Sequence, residues 1–331
     1  MMKIIDKRNW QPSDNILLEE SAFQAVTSQN NILVIAGPGA GKTELLAQKA
    51  TYLLQTNLCK NPRKILAISF KTDAAQNLKE RVEKRCGQDA KLRFSSMTYD
   101  AFFKRILDHF LYALPEELRP KADYLINDLN IIDQAFIRQG SILNGTISSK
   151  FNTYYDKTLE ETSLPLNLDE FGSRIWSLLL KGFDNHKATL TFKMINKLAD
   201  YIILTNEQIK LAIQTTYSHV FLDEFQDTTD LQYKFIKDCF LGSNSIITAV
   251  GDNKQRIMLW AGAMKNVFEI YNDEFKSNQK VLLMNHRSAP KLVELQRRMY
   301  ESLQEENLDI KCSEKWNSSD GEINLFISDD E

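Results

Sequence analysis

The chain has 331 residues, enough for a full hydrophobic core and for two domains, and its 43% apolar and 26% charged content is ordinary for a water-facing globular fold. A formal charge of −3 offers no global attraction to nucleic acid, so any polynucleotide contact needs a local basic groove. No apolar run approaches the roughly 20 residues of a membrane-spanning helix.

Cys59, Cys86, Cys239 and Cys312 are scattered without the spacing of a zinc site or a disulfide framework. The start, Met1–Arg8, is not backed by the apolar stretch of a secretion signal. These features predict reduced thiols, a cytoplasmic location and no membrane partner.

In chain order, the apolar residues 31–36 predict a buried strand, and a helix is expected from Lys42 to about Leu54. Lys64–Phe70 predicts a second strand and Thr72–Arg85 its helix. From about Leu107 to Ala199 the strand–helix alternation stops, and Gly140, Asn144-Gly145, Pro165 and Gly172 punctuate a mostly helical stretch. Alternation resumes with strands at His219–Asp223, Ser245–Val250 and Val281–Met284, then a helix near 289–304 and a strand near 322–328. The pattern predicts an α/β fold with a parallel sheet and a mostly helical insertion. In such sheets ligands sit beyond the C-terminal strand ends, where Lys42, Asp223 and Asp252 all fall.

The chemistry concentrates at two of those ends. Ala36-Gly37-Pro38-Gly39-Ala40-Gly41-Lys42-Thr43 follows the phosphate-loop pattern, with Ala36 at its first position. Glycines let backbone N–H groups converge on phosphates, and the following helix N-terminus adds the positive end of its dipole. Lys42 is expected to neutralise β/γ oxygens and the Thr43 hydroxyl to take one Mg²⁺ position. Val220–Asp227 ends an apolar strand in carboxylates: Asp223 suits Mg²⁺, and Glu224 suits orientation and deprotonation of an attacking water. Gln226 and Gln255 are both placed to sense a γ-phosphate. ATP and Mg²⁺ are the expected ligands.

Further stretches carry a resemblance. Leu222–Thr228 resembles motif II of the superfamily 1 DNA helicases of the UvrD/Rep type, and Gly251–Ile257 with Trp260–Ala263 is similar to motif III. Asn285-His286-Arg287-Ser288 resembles motif IV. Ser69–Ala75, with Leu78 and Arg81, resembles motif Ia, and Thr98-Tyr99-Asp100 through Leu107 resembles motif Ib. The motifs stand in family order.

The resemblance implies a RecA-like P-loop NTPase domain 1A at 1–107 and 200–284, a helical insertion 1B at 108–199, and the start of a second motor domain at 285–331. It implies an ATP-driven helicase or translocase on single-stranded DNA. Arg287 would be an arginine finger acting within the same chain and Gln255 a relay from the γ-phosphate. Glu44, Gln226 and His286 would join the phosphate loop in nucleotide binding. Phe70, Tyr99 and Trp260 would stack on bases, and Lys71, Thr98 and Arg105 would contact the DNA backbone.

The sequence also departs from the family pattern. Ala22, Glu44 and His286 occupy positions where the family reads the base, which predicts weak discrimination among ATP, GTP and CTP. Met258, Ala261 and Asp100 change the DNA-facing set. Nothing resembles motifs V and VI, so a longer polypeptide or a partner chain is expected to complete the motor, with slow turnover by this chain alone. A non-motor P-loop switch that regulates a partner protein is the other reading. A small-molecule kinase is disfavoured, because Glu224 beside the metal ligand would promote hydrolysis.

Overall fold

A computed structural model describes residues 4–256, 258, 262–299, 310–317 and 319–324. The chain divides into two compact units. The first takes residues up to Thr98, Gln214–Tyr233 and the chain from Phe240; the second takes Tyr99–Ile213 and Lys234–Cys239.

The first unit is built on six parallel strands: β1 (Ile32–Ala36), β2 (Lys64–Ser69), β3 (Phe94–Thr98), β4 (Tyr217–Leu222), β5 (Ile246–Gly251) and β6 (Asn278–Leu282). Their order across the sheet is β3-β2-β4-β5-β1-β6. β4 is buried along its whole length and β1 at all but one residue, as expected of central parallel strands covered on both faces. The edges are more polar: Phe-Ser-Ser-Met-Thr in β3 and Asn-Gln-Lys-Val-Leu in β6, a composition that blunts exposed pairing groups. All six C-terminal ends lie on one rim, which gathers loops far apart in sequence.

Helices α1 (Glu20–Thr27), α2 (Lys42–Gln55) and α3 (Thr72–Cys86) pack against this sheet and each other. Leu45–Leu54 of α2 are all buried, including Lys49. The Lys49 ammonium donates to the carbonyls of Ala25 at 2.7 Å and Ser28 at 3.0 Å, satisfying groups at the end of α1. Burial lowers its pKa to about 7.

Five of the six strands expected from the sequence are present; β3 is an addition, as is the short parallel pair Met284–Asn285 with Lys311–Cys312. Residues 300–304 of the expected 289–304 helix lie outside the described residues, and Pro290–Met299 is helical. Of the expected 322–328 strand, 322–324 are not in a strand and the rest lies outside the described residues.

The second unit is mainly helical, with helices at Tyr99–His109, Leu129–Arg138, Phe171–Lys181 and Phe192–Thr205 and one two-residue strand pair, Leu125–Ile126 with Thr189–Leu190. Its core includes Phe136, Tyr155 and Trp176, all fully buried. Among the described residues no helix is long and apolar enough to cross a membrane.

Candidate nucleotide site

The loop from Gly37 to Gly41 leaves β1 and turns into α2. Gly39 and Gly41 adopt φ of +74° and +81°, a left-handed conformation that glycine takes without a Cβ clash. Gly41 is the N-cap of α2, so the open N–H groups of the first turn face the loop.

The loop walls a cleft of about 300 Å³, together with Thr43, Glu44, Arg81, Glu224, Gln255, His286 and Arg287. Contributions therefore come from β1, β4, β5 and β6 and from α3. The His286 N–H donates to the Gly39 carbonyl at 2.9 Å, tying the loop after β6 to the phosphate loop. Asn285 Oδ1 accepts the N–H groups of Arg287 and Ser288, each at 2.9 Å.

The acidic end of β4 is tightly organised. Glu224 sits at φ 49°, ψ 46°, a left-handed conformation unusual for a non-glycine residue and of a kind concentrated at functional sites. Its carboxylate lies 3.7 Å from Lys42 Nζ and accepts from Gln226 Nε2 at 2.9 Å. Gln226 in turn accepts the Asp252 N–H at 3.0 Å through Oε1. This buried amide thus bridges the β4 and β5 loops.

Asp223, 3% exposed, uses Oδ1 to accept the Glu224 N–H at 3.0 Å, while its buried Oδ2 has no protein partner. Burial, then the neighbouring Glu224, raises its pKa to about 7. Asp227 is pushed to about 6 by the same two causes, and burial raises Asp252. Three buried carboxylates short of partners favour an incoming cation. Among the described residues there is no closed cage of three or more metal-ligating side chains. The unpartnered Oδ2 of Asp223 and the hydroxyl of the cleft-lining Thr43 are oxygen donors that could hold a hard cation such as Mg²⁺.

Glu44 is not a bare negative charge. Its carboxylate binds Arg81 Nη1 and Arg85 Nη2, each at 2.8 Å, and Gln48 Nε2 at 2.9 Å. Arg85 also binds Asp14 at 2.8 Å. His286 is half-buried, and burial lowers its pKa. Ala22 is buried and brings no polar group to this region.

The nucleotide residues expected from the sequence thus surround one cleft, except Asp223, Gln226 and Ala36, which lie just behind its surface. Phe70 and Lys71 follow β2, and Thr98 ends β3 next to Ser69 in register, so these three share one stretch of the rim. Tyr99 corrects an expectation: its ring is 3% exposed and stacks on Phe103 at 6.3 Å, so it offers no face to a base. Asp100 hydrogen-bonds Asn196, and burial raises its pKa, so it is not a free surface charge. Arg105 is half-buried on the helix Tyr99–His109 of the second unit. Trp260 and Ala261 lie outside the described residues.

Two participants were not foreseen in these roles: Arg81 as a cleft wall and Asn285 as the anchor of the Arg287 loop. Arg81 reaches the cleft only through a contact between distant segments, 37 residues apart at Glu44, whereas Asn285 anchors its own loop two and three residues on, a local turn of the kind Asn side chains form.

Residues 18–276 match the UvrD/REP helicase N-terminal domain. The chain belongs to that family. Relatives include a probable DNA helicase II homolog of Mycoplasma capricolum, 24% identical over 85% of this chain and 41% of its own length. A probable DNA helicase of Mycoplasma pneumoniae is 26% identical over 82% of this chain and 53% of its own length. The ATP-dependent DNA helicase PcrA of Staphylococcus epidermidis is 27% identical over 81% and 37%. The chain therefore spans about 37–53% of the length of these UvrD/REP relatives.

Proposed function

We propose that this chain is the nucleotide-binding half of an ATP-driven helicase or translocase on single-stranded DNA. The first unit would serve as the RecA-like motor domain and the second as its helical insertion. The observation that carries the reading is Glu224: a strained residue beside Lys42, held by Gln226, next to a buried Asp223 oxygen with no protein partner.

The phosphate loop and Lys42 would bind the triphosphate. Asp223 and Thr43 would hold Mg²⁺, which neutralises developing phosphate charge when bound. Glu224 would orient a water and take its proton as the water oxygen bonds to the γ-phosphorus and the β–γ bridging oxygen leaves with ADP. Gln226 fixes the Glu224 carboxylate in direction. Arg287, exposed at the cleft rim, would offset charge on the transferring group, and Gln255 would report it to the β5 loop. Additional protein, in a longer polypeptide or a partner, would complete the shell around that charge. Phe70, Lys71 and Thr98 would meet single-stranded DNA at the rim through stacking and phosphate contact, with Arg105 as a separate phosphate contact.

ATP hydrolysis measured with and without single-stranded DNA, for this chain and for the completed assembly, tests the reading. DNA stimulation lost in Glu224→Gln supports a motor. Hydrolysis indifferent to DNA in the completed assembly rejects it in favour of a nucleotide switch acting on a protein partner.

A further inference from the structure

We propose that Glu19 is a positioning residue for Arg287: its carboxylate fixes the arm of chain that leaves β6 and carries that guanidinium to the cleft rim. The inference rests on the reading of Arg287 as the group that offsets charge on the transferring phosphate.

Glu19 is the N-cap residue of α1, and its carbonyl accepts the first bond of that helix from the Phe23 N–H at 2.9 Å. An N-cap side chain ordinarily turns back to the N–H groups of its own first turn. Glu19 makes no such bond. Its carboxylate reaches a segment 264 residues away, where Oε1 and Oε2 accept the Leu283 N–H at 3.1 and 3.3 Å. The Met284 N–H also bonds to it.

Those two N–H groups stand where the chain changes sheets. The ladder between β1 and β6 ends at the Ala36–Leu282 pair, and the next pairing starts at Met284 with Lys311. Leu283 belongs to neither strand. Backbone donors at such a changeover need another acceptor, and an ionised carboxylate supplies a bond roughly twice as strong as a neutral one. Glu19 is itself half-buried, and what offsets its burial is this pair of backbone N–H groups, not a lysine or arginine.

The support behind the grip is firm. Ala22, Ala25 and Val26 of α1 are at most 5% exposed, and Lys49 holds the carbonyls of Ala25 and Ser28 at the far end of the helix. A carboxylate carried on a helix fixed at its face and its end is a precise anchor.

The other anchors of the arm do different work. Asn285 Oδ1 accepts the N–H groups of Arg287 and Ser288, so it shapes the arm from within. The N–H groups of Lys311 and Ser313 bond to the carbonyls of Leu283 and Asn285, tying the arm to the chain that follows it. Placement against the six-stranded sheet falls to Glu19 at the root and to the Gly39 carbonyl, which accepts the His286 N–H, near the tip. Without Glu19 the arm is free to pivot on the Gly39 bond, and the exposed Arg287 moves with it. A displacement of about 1 Å at a catalytic group can cost on the order of 100-fold in rate.

A double-mutant cycle on ATP hydrolysis in the completed assembly, with kcat and KM read separately, tests this. Glu19 lies outside the cleft wall, so Glu19→Ala should lower kcat about 10-fold and leave KM within about 2-fold. In an Arg287→Ala background the same change should alter kcat by less than about 2-fold, because the group that Glu19 places is gone. Glu19→Gln, which keeps one carbonyl oxygen for the Leu283 N–H, should recover most of the loss. In this chain alone, amide exchange at Leu283 and Met284 should quicken in Glu19→Ala while that of α2 stays unchanged.

An equal fall in kcat with and without Arg287 would overturn the proposal, since Glu19 would then act through the fold or the phosphate loop. Unchanged kcat in Glu19→Ala, with Arg287→Ala impaired, would also overturn it and leave the reading of Arg287 standing. If Arg287→Ala itself hydrolyses ATP at the unaltered rate, that reading fails and the inference falls with it. Should Glu19→Ala fail to fold, Glu19→Gln decides by the same cycle: its smaller fall must be present with Arg287 and absent without it.

Discussion

Replacing Gly39 by Ala should damage the cleft, while the same change at Gly37 should not. A Cβ at Gly39 would lie 2.5 Å from Asn285 Oδ1 and 2.7 Å from Arg287 Cβ, on a backbone at φ +74°. Neither neighbour can yield easily. Asn285 is 3% exposed and its Oδ1 accepts two backbone N–H groups, and Arg287 Cβ moves only with its backbone. The left-handed conformation costs Ala about 1–2 kcal/mol, and forced overpacking adds about 1–3 kcal/mol. The expected loss is then roughly 2–5 kcal/mol. At Gly37 a Cβ meets nothing within 4 Å, so Ala should be tolerated to within about 1 kcal/mol. Thermal melting of the two variants, with and without MgATP, measures the contrast. A domain of 150–250 residues loses about 2–4 °C per kcal/mol, so Gly39→Ala should melt several degrees lower. The rise in melting temperature on adding MgATP, about 2.7 kcal/mol of stabilisation at a hundredfold excess over Kd, should shrink as well. Equal melting temperatures and equal nucleotide shifts for both variants would refute the packing of Asn285 and Arg287 on the loop.

Glu224→Gln should keep MgATP binding and lower hydrolysis by about 10²–10⁴-fold, read from phosphate release in the completed assembly. Retained turnover would remove Glu224 from the role of base. Phe70→Ala should weaken single-stranded DNA binding by about 1–3 kcal/mol, measured by fluorescence anisotropy, with little dependence on base sequence. Lys49 should make stability rise with pH. Its folded pKa of about 7 lies below the ordinary 10.5, so between those values the folded chain binds fewer protons than the unfolded one. The slope can approach about 1.4 kcal/mol per pH unit, and it should flatten in Lys49→Met when urea midpoints at pH 7 and 9.5 are compared.

Much of this was legible in the sequence, because central parallel strands are continuous apolar runs. Ile32–Ala36 and Val220–Leu222 announce themselves, and the loops that follow carry their chemistry within a few residues. β3 was not legible for the converse reason. Phe94–Thr98 is a half-buried edge strand with three hydroxyl residues in five, so neither an apolar run nor clean alternation marks it. Tyr99 shows another limit: its place after Thr98 in the motif suggested a base contact, but it starts a helix and its ring turns into the core of the second unit. The Glu44–Arg81 pair spans 37 residues, and only the packing of α2 on α3 brings it together.

The join between His286 and Gly39 gives the cleft a mechanical character. The chain leaving β6 becomes a wall of the candidate nucleotide cleft within four residues, and it is held to the phosphate loop by one hydrogen bond and by close approach of the Asn285 and Arg287 side chains to Gly39. Whatever follows Arg287 is therefore attached to the pocket as a handle is attached to a latch. Strain applied along the chain from that side reaches the loop that grips the phosphates, and a ligand that draws Arg287 inward pulls the chain after it. In the proposed motor, gripping the nucleotide and transmitting load would be, at this joint, the same displacement.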